Sequence, residues 1–487
     1  MNSSELKNKT INAAFWNISG TLINQGVSFV ISIFLARLLS PSDFGLIGMT
    51  MVLITITQSF SDFGMTSGLI QKQNPTENQY STVFWINLSI SFLLMLTMIA
   101  LSGIIAKFYV IEEISAIAKF TSITFVINAL NNVQLAKLTK QLANKVKVMA
   151  TLTSAIVSGA TGIALALGGF GVWSLVYSSL LGSIINTLVL WNKSEWRPKL
   201  VYNFSEVKEL LNFGSKMFAS GLLDTIYSRF DIIIIGKMFT PVLLGYYYRA
   251  LSFNQIIIKY AAGGMQGIFF PVFSHLQNDK PQQIKIVNQS LNMVSFITFM
   301  LCGLMYLCAE EIIIILFTEK WLPSVKYFQI MVFSTYAYPI SVILVNVLSG
   351  NGRSDKFLKL EIWKKLAGAA AMLTGFIWGI EGFLWSSVFA TAFSLFMNIW
   401  YVESTINMTI KNQYYIILRY AICASVGAVP ILVIQPFMPQ IIWVALFIKS
   451  ILFVAVYFVA NRITRSSGLA EFSQIVKNIW QRKWSVA

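Results

Sequence analysis

Apolar runs of twenty or more residues recur along nearly the whole of this 487-residue chain, each long enough to cross a hydrocarbon core of about 30 Å. In lipid a segment must satisfy its own backbone hydrogen bonds, which a helix does within one run of chain. The spans expected in the first part lie near 13–36, 44–71, 80–106, 114–136, 148–168 and 172–191. A second set follows near 211–236, 243–270, 286–309, 325–349, 360–380 and 382–402, with two more near 414–436 and 439–460. Composition agrees, with 56% apolar and 11% charged residues and a mean hydropathy of +0.67, outside the range of soluble domains. The fold class expected is therefore an all-α polytopic membrane protein of fourteen transmembrane helices.

The charges test that count. With the N-terminus inside, even-numbered spans end on the cytoplasmic side, and the segments there hold 24 Lys and Arg against six on the other side. The inner set includes Lys137, Lys140, Lys145 and Lys147, the series from Arg353 to Lys365, and the tail from Arg462 to Lys483; the outer set is Arg37, Lys107, Lys119, Lys237, Lys320 and Lys326. One span too many or too few would exchange the sides of every later loop and erase this bias. It places both termini in the cytoplasm and accounts for most of the net charge of +16, so no nucleic-acid partner is needed to explain it.

One phrase occurs twice. Arg37-Leu-Leu-Ser-Pro41-Ser-Asp-Phe-Gly45 returns at an offset of 200 as Lys237-Met-Phe-Thr-Pro241-Val-Leu-Leu-Gly245. Ile56, Gly64 and Met65 likewise match Ile256, Gly264 and Met265. Six spans separate the two prolines, an even number, so both sit on the same side and the halves are parallel repeats. The division expected is an N-terminal lobe over 1–191, a polar linker over 192–210 containing Pro198, and a second lobe over 211–404. Spans thirteen and fourteen occupy 411–460, and a basic tail 461–487, in which Leu469, Phe472, Val476, Ile479 and Trp480 recur at helical spacing. That tail is either a helix on the anionic inner leaflet or a frayed polar end.

The N-terminal stretch is too long, and too interrupted by Asn17, Asn24 and Gln25, for a cleavable signal peptide. Cys302, Cys308 and Cys423 lie in or beside spans and read as buried apolar side chains. No metal-ligand spacing is visible, so no metal or cofactor is expected. A nucleotide-binding Gly-rich loop is missing too: Gly236-Lys237 is followed by Met238, with Asp231 where the upstream glycine belongs. The single histidine, His275, falls in a cytoplasmic turn, and the chain is not expected to be an enzyme.

The remaining chemistry is intramembrane. An ionised side chain near mid-bilayer costs at least about 2.5–3.5 kcal/mol, so it faces a partner or a wet cavity. Lys216, Ser220, Asp224, Tyr227 and Asp231 fall within about 80° of one another on span seven, with Arg229 elsewhere. Span eight aligns Arg249, Ser252, Lys259 and Gln266; spans one, two and four carry polar stripes that include Asn24, Asp62 and Asn128. These stripes either border a common hydrated interior or bond helix to helix. Asp224 and Asp231 either neutralise Lys216 and Arg229 or couple transport to a proton or sodium gradient. Lys216, Arg249 and Lys259 read as a cationic cavity, for which a phosphate or diphosphate is the economical ligand. Tyr227, Phe230 and Tyr246-Tyr247-Tyr248 either stack on sugars or belong to an interfacial belt. Gly64-x-x-x-Gly68 and Gly375-x-x-x-Gly379 read as close helix packing, and Lys449, midway along span fourteen, has no obvious partner.

Leu35-Ala-Arg-Leu-Leu-Ser-Pro-Ser-Asp-Phe-Gly45, with Phe60-Ser-Asp-Phe-Gly-Met-Thr-Ser-Gly-Leu-Ile-Gln-Lys72, resembles the N-terminal signature of bacterial polysaccharide-transporter flippases. These are the O-antigen, colanic-acid and teichuronic-acid exporters of the multidrug/oligosaccharidyl-lipid/polysaccharide superfamily. Gly171-Val-Trp-Ser174 and the Arg229–Arg249 segment fit as well, and Gly68 departs mildly from the pattern. The resemblance implies two six-helix lobes in a V, with two helices appended and alternating access to a central cationic cavity. It also implies export of an undecaprenyl-diphosphate-linked oligosaccharide across the bacterial cytoplasmic membrane. On that reading Lys216, Arg249 and Lys259 hold the diphosphate, with Arg229, Asn24 and Asp62 lining the cavity, and a polysaccharide polymerase or export machinery is the partner. Two alternatives are a multidrug exporter of the same superfamily, for which the basic excess has the wrong sign, and a polymerase, for which the external connections are too short.

Overall fold

The computed structural model describes the backbone of residues 3–262 and 266–484. The side chains of 3–11, 13, 14, 18, 206, 212, 213, 217, 256, 257, 259–262, 266–268, 376, 475, 476 and 478–484 lie outside the described residues. Lys259, the repeat's Gly264 and Met265, and Trp480 are therefore beyond description here. All regular structure among the described residues is helical.

Packing divides the chain into two compact units, Met1–Tyr248 and Arg249–Ala487. The first holds α1 (Ser3–Leu38), α2 (Pro41–Ser59), α3 (Met65–Gln71), α4 (Glu77–Tyr109), α5 (Glu113–Lys140), α6 (Asn144–Leu167), α7 (Val172–Lys193) and α8 (Phe204–Met238). α9 (Pro241–Ala262) begins there and continues into the second unit, followed by α10 (Gln266–His275), α11 (Lys280–Leu307), α12 (Ala309–Phe317), a 3-10 turn (Glu319–Trp321), α13 (Pro323–Thr335) and α14 (Ala337–Gly350). α15 (Ser354–Ile406), α16 (Ile410–Ile434), α17 (Ile442–Ile463) and α18 (Ser467–Trp484) complete it.

The repeated phrase is one structural device used twice. Leu39 N–H closes the end of α1 on Leu35 O at 2.9 Å, and Phe239 N–H closes α8 on Ile235 O at 2.9 Å. Ser40 then caps α2: its hydroxyl accepts the Asp43 N–H at 3.3 Å, and the Asp43 carboxylate accepts the Ser40 N–H at 2.8 Å, a reciprocal capping box. At the same place in the second copy, Thr240 Oγ1 accepts the Leu243 N–H at 3.3 Å. Pro41 and Pro241 each open the following helix, where a missing N–H costs nothing.

Ten segments among the described residues are long and apolar enough to cross a membrane, so fourteen is not reached by that measure. The four expected spans that fall short, 44–71, 211–236, 243–270 and 360–380, are nonetheless helical as α2–α3, α8, α9–α10 and the first half of α15. Length and charge both enter, since α3 and α10 have only 7 and 10 residues. Asp62 sits in the break between α2 and α3; α8 carries Lys216, Asp224, Arg229 and Asp231; α9 carries Arg249 and Lys259; and α15 opens with Lys359, Glu361, Lys364 and Lys365. The multi-pass, all-helical class holds.

α15 spans 53 residues but is two helices meeting at Gly379, whose φ of 72° and ψ of −168° belong to glycine alone. Gly379 is thus a turn between the expected spans 360–380 and 382–402, and not a packing position. A Cβ there would meet no atom within 4 Å, whereas one on Gly375 would lie 2.8 Å from Phe383 Cβ. Gly64 and Gly68 do serve close packing: Cβ atoms on them would lie 2.1 Å and 3.1 Å from the carbonyl oxygens of Gly214 and Leu210.

In the first unit α4 packs on α5, α6 on both α1 and α7, and α8 on α2, α3 and α4. Repeat and packing therefore divide the chain differently: α8 opens the second repeat in sequence and packs on helices of the first. The second unit centres on Phe296 of α11, Tyr420 of α16 and Phe453 and Tyr457 of α17, all buried. α18 starts on this core, with Phe472 5.6 Å from the Phe296 ring and Gly468 N–H donating to Tyr420 Oη at 3.0 Å. The tail thus begins as a docked helix and not as a frayed end.

Candidate functional site

α8 presents the expected polar stripe. Lys216, Ser220 and Asp224 are exposed, and Tyr227, Arg229 and Asp231 half-buried. Asp231 accepts a hydrogen bond from the hydroxyl of buried Tyr247 on α9. Its other oxygen is buried and accepts none among the described residues. A carboxylate half satisfied in this way keeps a lone-pair site for a proton or a small cation.

Two of the expected cavity residues are committed to the fold. Asp62 accepts from Thr66 N–H at 3.0 Å, from the Thr66 hydroxyl, and from Asn87 Nδ2 at 2.9 Å. It thereby caps α3 and ties the α2–α3 break to α4. Asn24 Nδ2 donates to Thr151 Oγ1 at 2.8 Å, joining α1 to α6, which is the helix-bonding use of a polar stripe.

Arg249 is more enclosed than the sequence indicates. It is 4% exposed, and its guanidinium lies 4.7 Å from the Phe317 ring centre and 4.8 Å from that of Trp321. Two aromatic faces offset part of the cost of burying the cation, about 2 kcal/mol for a desolvated cation–π contact. They also fix the side chain in one place. The segment that supplies them, α12 and its 3-10 turn, was expected as an external connection.

The same segment supplies a residue that sequence reasoning missed. Glu311 of α12 pairs with Lys449 of α17 at 2.5 Å, with both side chains under 10% exposed. Lys449 also donates to Leu307 O at 3.4 Å, and Cys308 Sγ lies 3.6 Å from Ser450 Oγ. A lysine inside an apolar span demands an acid at its own depth, and Glu310-Glu311, at the outer end of the span 286–309, are among the acids on that side of the membrane. The three cysteines are free and buried, as expected. The second unit also contains a largely apolar cavity of about 510 Å³ lined by Phe299, Cys302, Tyr336, Tyr414, Leu418 and Ala424.

Comparison with known proteins follows the same lines. The chain is 23% identical over 400 residues to the lipopolysaccharide biosynthesis protein WzxC of Escherichia coli, covering 76% of this chain and 78% of that protein. It is 21% identical over 372 residues to the succinoglycan biosynthesis transport protein ExoT of Rhizobium meliloti, covering 76% and 75%. Its fold is similar to that of the lipid II flippase MurJ in an inward closed conformation, with a TM-score of 0.73 and 15% identity over 93% of this chain and 98% of that one. A family model described as polysaccharide biosynthesis protein matches residues 34–326, more than half of the chain, and the chain belongs to that family.

Proposed function

We propose that the protein is a flippase carrying an undecaprenyl-diphosphate-linked oligosaccharide from the inner to the outer leaflet of the bacterial cytoplasmic membrane. One observation carries this reading: Lys216, Arg229, Arg249 and Lys259 stand on two consecutive helices too polar to face lipid, in a chain of the polysaccharide biosynthesis family. Relatives named for lipopolysaccharide biosynthesis and succinoglycan transport support the cargo class. A diphosphate is a compact, divalent acceptor that Lys and Arg recognise well. Arg249, held between Phe317 and Trp321, is a preorganised cation; Lys216 and Lys259 flank it in sequence on α8 and α9. Asn24 and Asp62 contribute to the route through the helix joints they make. Asp231, with one unsatisfied oxygen, is a better ion-coupling candidate than exposed Asp224.

Transport then needs no covalent step. The repeats rock about their interface, binding energy is spent on moving the headgroup past apolar lipid, and both termini stay in the cytoplasm. The flipped oligosaccharide becomes substrate for a separate polymerase. A free cationic drug would favour an acidic route, and α8 and α9 together carry more basic than acidic residues. Lys216→Glu and Arg249→Glu should abolish surface polysaccharide while the protein remains inserted at wild-type level. Normal polysaccharide from both variants would refute the cationic route.

A further inference from the structure

The two copies of the repeated phrase touch each other. A Cβ built on Gly45 would lie 1.9 Å from Pro241 O and 2.6 Å from its carbonyl carbon; one built on Gly245 would lie 1.9 Å from Pro41 O and 2.7 Å from that carbon. The contact is reciprocal, glycine of each copy against proline backbone of the other, and neither position admits a side chain. Beside it a Cβ on Gly236 would lie 3.0 Å from Met49 and 3.1 Å from Tyr109, and the Lys237 ammonium sits 4.8 Å from the Phe108 ring.

A second bare-backbone contact joins the same two repeats at the other end of α8. Cβ atoms on Gly64 and Gly214 would lie 2.1 Å and 2.6 Å from each other's carbonyl oxygens. Phe218 packs on Phe60 and Phe63 with ring centres at 5.2 Å and 4.9 Å, and Lys72 pairs with Glu209 at 2.7 Å. From Gly214 to Gly236 is 22 residues of α8, about 33 Å of helix and close to the hydrocarbon thickness. Between these ends one stretch of α8 is solvent-accessible. Ser220, Gly221, Leu223 and Asp224 are exposed, and a Cβ on Gly221 would meet nothing within 4 Å.

We propose that these two glycine crossings are the gates of the transport route, one at each membrane face, and that they open alternately. This rests on the alternating-access reading above and assigns residues to its two closures. Backbone against backbone suits a gate. The surfaces part without repacking side chains, and they meet again in one register because the glycines leave no slack. The Gly45–Pro241 crossing lies with the phrase that the charge bias puts outside. The Gly64–Gly214 crossing lies with Lys72 and Glu209, at the face the charge bias puts inside, where their ion pair adds a polar clasp.

The test uses the full-length protein in its membrane with Cys302, Cys308 and Cys423 replaced by Ala and a reporter made by Gly221→Cys. A membrane-impermeant maleimide is applied to one face at a time. Gly245→Val should raise labelling from the face next to Pro41 roughly tenfold, and Gly214→Val should raise it by a similar factor from the opposite face, as expected when a wedge shifts a closed–open equilibrium by about 1.4 kcal/mol. Labelling raised from the same face by both, or unchanged in variants that remain monodisperse, overturns the proposal. Should a valine variant fail to fold, Lys72→Cys with Glu209→Cys supplies the second arm. Closing that disulfide should stop surface polysaccharide production and reducing it should restore it, whereas production unaffected by the closed disulfide overturns the inner gate. Labelling needs no cargo, so failed gates and a failed assignment of cargo give different results.

Discussion

Lys449 and Glu311 form a buried pair that excludes water from both charges. Removing one partner strands the other, a loss of about 3–5 kcal/mol, whereas replacing both by apolar groups of similar volume is often close to neutral. Lys449→Met alone should therefore lower the thermal midpoint of the purified protein far more than Lys449→Met combined with Glu311→Leu. Equal losses would mean that the pair is not what the second unit relies on there. Arg249 follows the same logic through its rings. Trp321→Leu should reduce polysaccharide export more than Arg249→Lys does, because lysine keeps the charge and can still sit on both faces, while leucine removes one of them. The sequence showed that Lys449 and Arg249 were out of place in apolar spans. It could not show what meets them, because Lys449 and Glu311 are far apart along the chain and come together only through packing of α12 on α17.

Among elements, two helix starts are held by local patterns that the sequence reading passed over: in Ser40-Pro41-x-Asp43 and Thr76-x-x-Gln79 the hydrogen bonds close within four residues, and both form. Ser40→Ala should cost about 1 kcal/mol, and Thr240→Ala a similar amount, measured as a fall in unfolding midpoint; no change in either would mean that packing alone fixes these starts. The break at Gly379 was legible as a boundary between two apolar runs but was misread as a packing glycine, since spacing alone does not report φ. α12 was the least legible element. Nine residues with two acids in the first turn read as a loop, yet Glu311, Ile313 and Phe317 are buried. The Lys72–Glu209 clasp on α8 offers a pH signature. The Lys72 hydrogen bond holds the Glu209 carboxyl below the usual carboxylate range, so the pair's contribution is present above the unfolded carboxyl pKa and is lost as pH falls through the lower folded one. Replacing the acid removes the pair at any pH, so Glu209→Gln should raise labelling of the Gly221→Cys reporter from the face next to Lys72 at neutral pH, where the thiol still reacts.

Over the whole molecule, the sequence carried the all-helical, multi-pass class and the phrase whose two copies each end one helix and open the next. Both are legible in sequence alone: hydropathy summed over twenty positions, and one phrase at two places. The grouping of α8 with the first unit was not legible, because it depends on glycines 64 and 214 meeting across some 150 residues of chain. α8 and the start of α15 fail the apolar measure through their charges, whereas α2–α3 and α9–α10 are each described as two shorter helices. A transporter of a charged headgroup needs some membrane helices that lipid alone would reject. The most direct measurement is translocation in proteoliposomes containing a fluorescent undecaprenyl-diphosphate oligosaccharide, read by access of an impermeant quencher or lectin. Wild-type protein should move the labelled headgroup between leaflets at a rate well above protein-free vesicles, and Lys216→Glu with Arg249→Glu should return it to that background. Translocation unaffected by the double variant, or absent from wild-type vesicles that translocate an amphipathic cation, would contradict the assignment.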